Sequence, residues 1–129
     1  MMGININDKH QPFTEQILNG MKTIETRNSK SLDPYLGKRV GIVRTGKNKA
    51  MLVGFATIHS RCEYQSSQEF DCHYLLHLVA KDSKYYIQSG KKKYGYLFTD
   101  VERITPQPVH SKGIVSRKIN PTDICMKGF

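Results

Sequence analysis

The sequence predicts an α+β fold that is mainly β, a small curved sheet or barrel with two or more flanking helices. Three observations predict it: several short stretches of β-branched and aromatic residues alternate apolar with polar, turns rich in glycine, proline or asparagine separate them, and only two stretches keep helical spacing. A chain of 129 residues is the size of one ordinary domain, so one domain over 1–129 is expected.

The elements follow in order. Gly3-Ile4-Asn5-Ile6-Asn7 alternates as a half-buried strand does and runs into polar Asp8 to Gln11. From Pro12 to Asn19, a proline at a first helical position and Phe13, Ile17 and Leu18 at helical spacing predict a short helix, with Gly20 suited to its left-handed C-cap. The β-branched run from Thr23 to Thr26 prefers an extended chain. After a loop from Asn28 to Pro34, Arg39 to Thr45 and Ala50 to Ile58 predict a hairpin turning through Gly46 to Lys49, with Met51, Val53 and Phe55 alternating in its second strand. Ser66-Ser67-Gln68-Glu69 fits a capping box, and Phe70, Tyr74 and Leu78 recur every fourth residue, which predicts a helix over 67–79. Further strands are expected at Tyr85 to Gln88, Tyr94 to Phe98 and Val101 to Ile104, with Pro106 and Pro108 breaking the pattern after Ile104. The tail from Asn120 to Phe129 has weak periodicity, and a mobile end is expected there.

Twenty Lys and Arg stand against eleven Asp and Glu, a formal charge of +9 that favours polyanionic partners, nucleic acid first. The competing reading of that charge is a solvated surface that only keeps the protein soluble. No apolar run approaches the roughly 18 residues a membrane helix needs, and Met1-Met2-Gly3-Ile4-Asn5 does not resemble a secretory signal. A cytoplasmic location without membrane association is expected. Cys62, Cys72 and Cys125 are odd in number and lack paired spacing, so reduced thiols are expected.

Gly20-Met21-Lys22-Thr23-Ile24-Glu25-Thr26-Arg27 packs an ammonium, a carboxylate and a guanidinium behind the glycine that stops the first helix. Strand alternation would put Thr23, Glu25 and Arg27 on one face and send Ile24 into the core, while the flexible stem of Lys22 could reach the space beside Glu25. Such a cluster can bind an anion or a base edge, transfer a proton, or pair only with itself.

This octet resembles the G-x-K-x-x-E-x-R signature of ASCH domains, members of the PUA-like superfamily. The resemblance extends to Gly37-Lys38-Arg39-Val40-Gly41-Ile42, to Tyr94-Gly95-Tyr96, and to Pro106-Gln107-Pro108-Val109 with Lys112-Gly113 after it. It implies a small PUA-like β-barrel with flanking helices and a cleft, and an association with RNA or modified nucleosides. Some small bacterial members hydrolyse N4-acetylcytidine with a lysine that Lys22 matches. Glu25 stands where those enzymes place a threonine nucleophile, with Thr23 and Thr26 on either side. A few relatives are described as ribonucleases, whose cleft lysine and hydroxyl groups Lys22, Tyr94 or Tyr96 could imitate.

The expected ligand-binding residues are therefore Lys22, Thr23, Glu25, Arg27, Tyr94 and Tyr96, with Lys22 and Glu25 catalytic if the protein is an enzyme. Arg27 and Lys22 can contact phosphate or a base carbonyl, Glu25 can accept from an exocyclic amine, and the tyrosines can stack or simply pack. Lys91, Lys92 and Lys93, together with Lys47 and Lys49, are the expected nucleic-acid surface. His73 and His77 are four residues apart beside Cys72, but no third or fourth ligand is placed by motif, so neither metal nor cofactor is expected.

Overall fold

A computed structural model of the protein describes residues 1–119, so the expectation about the tail and Cys125 lies outside the described residues. Strand β1 (Met2–Asn7) leads into helix α1 (Phe13–Leu18) and strand β2 (Ile24–Arg27). A 3-10 turn (Asp33–Tyr35) precedes strands β3 (Arg39–Thr45) and β4 (Met51–Tyr64). Two short helices, α2 (Ser67–Cys72) and α3 (Tyr74–His77), are followed by strands β5 (Lys93–Pro108) and β6 (Ser116–Lys118).

The six strands form one sheet in the order β2, β5, β4, β3, β1, β6, antiparallel except for the parallel pair β1 and β3. Their inward residues make an apolar core from Ile4, Ile6, Val40, Ile42, Ala56, Ile58 and Phe98, which α1 seals with Ile17 and α2 with Phe70. A smaller cluster of Val43, Leu52, Phe55 and Ile119 covers the opposite face of β3 and β4. Gly95 permits the sheet to be tight beside β2, because a side chain there would collide with Ile24, Cys62 and Tyr64. The sheet curls without closing its ladder. β1 and β2 meet through side chains: the Arg27 guanidinium on β2 donates to the Asn5 carbonyl on β1 at 2.8 Å.

The first half follows the sequence closely. Gly20 takes the left-handed conformation (φ 82°) directly after α1, and the β3–β4 hairpin turns where expected, although β4 runs on to Tyr64. Four expectations are corrected. The helix over 67–79 is broken at His73 (φ −102°, ψ 17°), and Leu78 ends it in the left-handed region, so Tyr74 is exposed and His77 is buried instead. Ser66 caps α2 as expected, by accepting from Glu69 N at 3.2 Å, but Glu69 reaches back to Gln65 N rather than to its own cap. Tyr85 to Gln88 is a series of turns and not a strand. Finally, the two strands expected at 94–98 and 101–104 are one, kinked at Asp100 (φ 50°), and it runs through Pro106 to end at Pro108. Pro106 is tolerated because β2 pairs with β5 only from Tyr94 to Leu97, leaving the other edge without a partner there. Cys62 and Cys72 are free thiols, and no helix among the described residues is long and apolar enough to cross a membrane.

Candidate functional site

The unclosed seam between β1 and β2 holds a cavity of about 290 Å³. Its walls come from distant parts of the chain: Asn5 and Asn7 from β1, Glu25 and Arg27 from β2, Asn28 just beyond, Phe13 from α1, Tyr85 from the turns, and Lys93 at the start of β5. The left-handed Gly20 ends α1 and turns the chain, and backbone bonds then fix the signature: Lys22 N donates to Gln16 O (2.9 Å), Thr23 N donates to Leu76 O (2.9 Å), and Phe98 N donates to Thr23 O (2.8 Å).

Lys22 is 1% exposed and lies behind the cavity rather than on its wall. Its ammonium donates to the His77 carbonyl, sits 4.6 Å from the centroid of the Phe13 ring, and lies 3.8 Å from Glu25 Oε1. Burial pulls its pKa down to about 8, partly opposed by the Glu25 carboxylate. His77 makes this floor rigid. Its ring stacks on Phe70 at 3.9 Å, Nε2 donates to Phe70 O at 2.7 Å, and Nδ1 accepts from Val79 N at 2.9 Å. Those two bonds select one neutral tautomer, and burial lowers its pKa to about 4. The His73 ring meets the Tyr64 hydroxyl at 2.7 Å, so both histidines serve packing.

Glu25 is the buried carboxylate of the site, and its Oε2 accepts from Arg27 Nη2 at 3.0 Å. The same nitrogen donates to Asn5 O, while Arg27 Nε is shielded from solvent without a partner among the described residues. Lys93, expected on the surface, is 3% exposed; its ammonium donates to Asn28 Oδ1 at 2.8 Å and its pKa is lowered to about 8, chiefly by burial. Three cations thus surround one carboxylate, leaving the region positive and short of acceptors.

Of the residues expected to bind ligand, the structure brings Glu25 and Arg27 to the cavity and Lys22 against its back. Thr23 is held by its backbone away from the cavity. Tyr96 is 0% exposed and donates to Asp33 Oδ1 at 2.7 Å, so its ring is a core element and not a stacking platform. Tyr94 borders a neighbouring depression with Lys91, Lys92, Gln88 and Asn28, and Asn28 joins that depression to the seam cavity. Lys47 and Lys49 are exposed on the β3–β4 turn. The sequence pattern did not point to Asn5, Asn7, Phe13, Asn28 or Tyr85 as site residues. Only Asn28, directly after the signature, carried a local signal.

No model of a protein family matches the sequence, and no curated protein matches it. Solved structures do. The ASCH protein of Zymomonas mobilis superposes with a TM-score of 0.74 at 18% identity, covering 96% of this chain and 90% of that one. A serine-to-alanine mutant of that protein gives 0.73 at 18% identity with 97% and 92% coverage, and a tyrosine-to-phenylalanine mutant gives 0.74 at 18% with 97% and 94%. The chain has the ASCH domain fold.

Proposed function

We propose that the chain, as a single ASCH domain, binds RNA or a modified nucleoside and seats one nucleoside in the seam cavity. The observation that carries this reading is the Glu25 carboxylate, held by Arg27 near Lys93 on the wall of a hole that also presents side-chain amides and two aromatic rings. Glu25 accepts from an exocyclic amine, Arg27 and Lys93 donate to a base carbonyl, and Tyr85 and Phe13 supply apolar faces. Lys91 and Lys92, beyond Asn28, serve the backbone phosphates. Lys22 has a supporting part: its ammonium faces Glu25 Oε1 from behind the cavity at 3.8 Å.

A hydrolase of the N4-acetylcytidine type on the same cavity is the second reading. The observation in its favour is that both buried lysines are lowered to about 8, near the working range of a general base, and that Lys93 faces the cavity. Binding of a labelled single-stranded RNA should fall steeply with added salt, and Arg27→Ala should weaken it by roughly tenfold. Absent or salt-independent RNA binding, together with no binding of cytidine or N4-acetylcytidine, would remove the proposal. Release of acetate from N4-acetylcytidine, lost in Lys93→Met, would establish the second reading in its place.

A further inference from the structure

Helix α1 turns Phe13 toward the seam and Thr14, Glu15 and Leu18 toward a second and larger hollow of about 540 Å³. Arg44, Lys47 and Arg103 also border it, three cations against the two carboxylates of Asp8 and Glu15. Most of these charges are already used. Arg103 forks onto Glu15 with two bonds of 2.8 and 2.7 Å. Asp8 accepts from the backbone N–H of Thr14 at 3.0 Å and from the Thr14 hydroxyl. Arg44 and Lys47 are left: among the described residues neither forms an ion pair, and Arg44 Nε is shielded from solvent with no hydrogen-bond partner.

We propose that this hollow is a phosphate site for the nucleotide adjoining the one in the seam, so that the protein reads a strand of RNA rather than a free nucleoside. The inference rests on the seam reading above and extends it. The two hollows share a ridge. Asn7 and Thr45 are register partners on β1 and β3 and both border the seam cavity, whereas their chain neighbours Asp8 and Arg44 border the second hollow. The partition between the hollows is therefore the end of these two strands, with Thr45 turned to the seam and Arg44 to the second hollow, and an RNA strand leaving the seam past that end comes onto the side that Arg44 borders. The Nη groups of Arg44 make no hydrogen bond among the described residues and are not shielded as Nε is, so they are free to donate to a phosphate oxygen, which needs no base-specific contact. Lys47, on the exposed turn beside it, adds a second cation to the same phosphate.

The test uses two probes, a labelled single-stranded RNA nonamer of mixed sequence and the nucleosides cytidine and N4-acetylcytidine. Arg44→Gln and Lys47→Glu should each lower RNA affinity by roughly tenfold and flatten its salt dependence by about 0.7 in log–log slope per lost phosphate contact. Neither should change nucleoside affinity. Lys47→Glu sits on an exposed turn, so it answers the question even if Arg44→Gln fails to fold. If both variants bind RNA as the parent does while Arg27→Ala weakens it, the phosphate site is wrong and the seam reading stands. If Arg27→Ala leaves RNA binding intact, the seam reading falls, and the assignment of this phosphate to its neighbour falls with it. A parent protein that binds a nucleoside but no RNA overturns the phosphate site alone, and one that binds neither overturns both.

Discussion

The seam between β1 and β2 and the wall made by β3, β4 and β5 enclose the same interior by opposite means. In the wall, β4 is paired on both sides by backbone ladders, and the inward side chains of the three strands are apolar: Val40, Ile42, Ala56, Ile58 and Phe98. At the seam no ladder joins β1 to β2, and β6 pairs with β1 only at Met2, Gly3 and Ile4, so beyond that stretch side chains take over. Arg27 satisfies the Asn5 carbonyl, Lys22 satisfies that of His77, and Glu25 balances part of their charge. The difference teaches that an unclosed sheet moves its hydrogen-bonding duty onto side chains, and that cations buried for this duty then need a buried anion. Glu25 and Arg27, which hold the seam together, therefore also line its cavity.

The largest effect that could break this contrast is removal of the anion. Glu25→Ala leaves Lys22, Arg27 and Lys93 without their shared carboxylate, and breaking a buried pair in this way costs about 3–5 kcal/mol. A urea titration should show the midpoint falling with an unchanged slope. A loss below about 1 kcal/mol would mean that the seam charges behave as surface charges, and the contrast with the wall would disappear.

A second prediction sharpens the contrast through pH. Lys22 and Lys93 are lowered to about 8 in the folded protein from an ordinary value of 10.5. Between those values the unfolded chain binds more protons than the folded one, so stability rises with pH across the window; below about 8 both states are protonated and this contribution is flat. Tyr64 and Tyr96, raised above their ordinary value of 10 chiefly by burial, oppose it above pH 10, where the unfolded chain releases protons that the folded one keeps. The rise is therefore read between pH 8 and 10. Lys22→Met should remove about 1–2 kcal/mol of it, measured as the difference between parent and variant urea midpoints along a pH series. Parallel curves would show that Lys22 is not desolvated.

Local chemistry made much of this legible in advance. Alternation in Gly3 to Asn7 and Arg39 to Thr45 gave β1 and β3, Gly20 gave the end of α1, and fixed spacing gave the charged cluster of Lys22, Glu25 and Arg27. Depth was not legible, because it depends on register between segments far apart in the chain. Lys91, Lys92 and Lys93 read as one basic run, yet β5 begins at Lys93, and pairing with Tyr64 on β4 fixes that residue inside while its two neighbours remain exposed. Tyr96 offered an aromatic face in the sequence but packs in the core, with its hydroxyl on Asp33, sixty-three positions away. The break at His73 accompanies side-chain bonds from both histidine rings to nearby residues, Tyr64, Phe70 and Val79, which override the helical period. Strand β6 is three residues long and carried no pattern to read.

The smallest predicted effect lies on the wall, where Arg39 Nη2 pairs with Glu102 Oε1 at 2.8 Å and both side chains are exposed. This bond is shorter than the 3.0 Å between Arg27 and Glu25, so distance alone would rank it as the stronger pair. Solvent reverses that ranking: an exposed pair is screened and is worth about 0–1 kcal/mol, and neither partner is stranded in a dry environment when the other is removed. Glu102→Ala should therefore shift the urea midpoint by less than about 1 kcal/mol, with the difference shrinking further in added salt. The Arg39 bond to the Asp100 carbonyl, which supports the left-handed kink of β5, survives in that variant. A cost near that of Glu25→Ala would mean that the wall also depends on its charges, and that the unclosed ladder is not what distinguishes the seam.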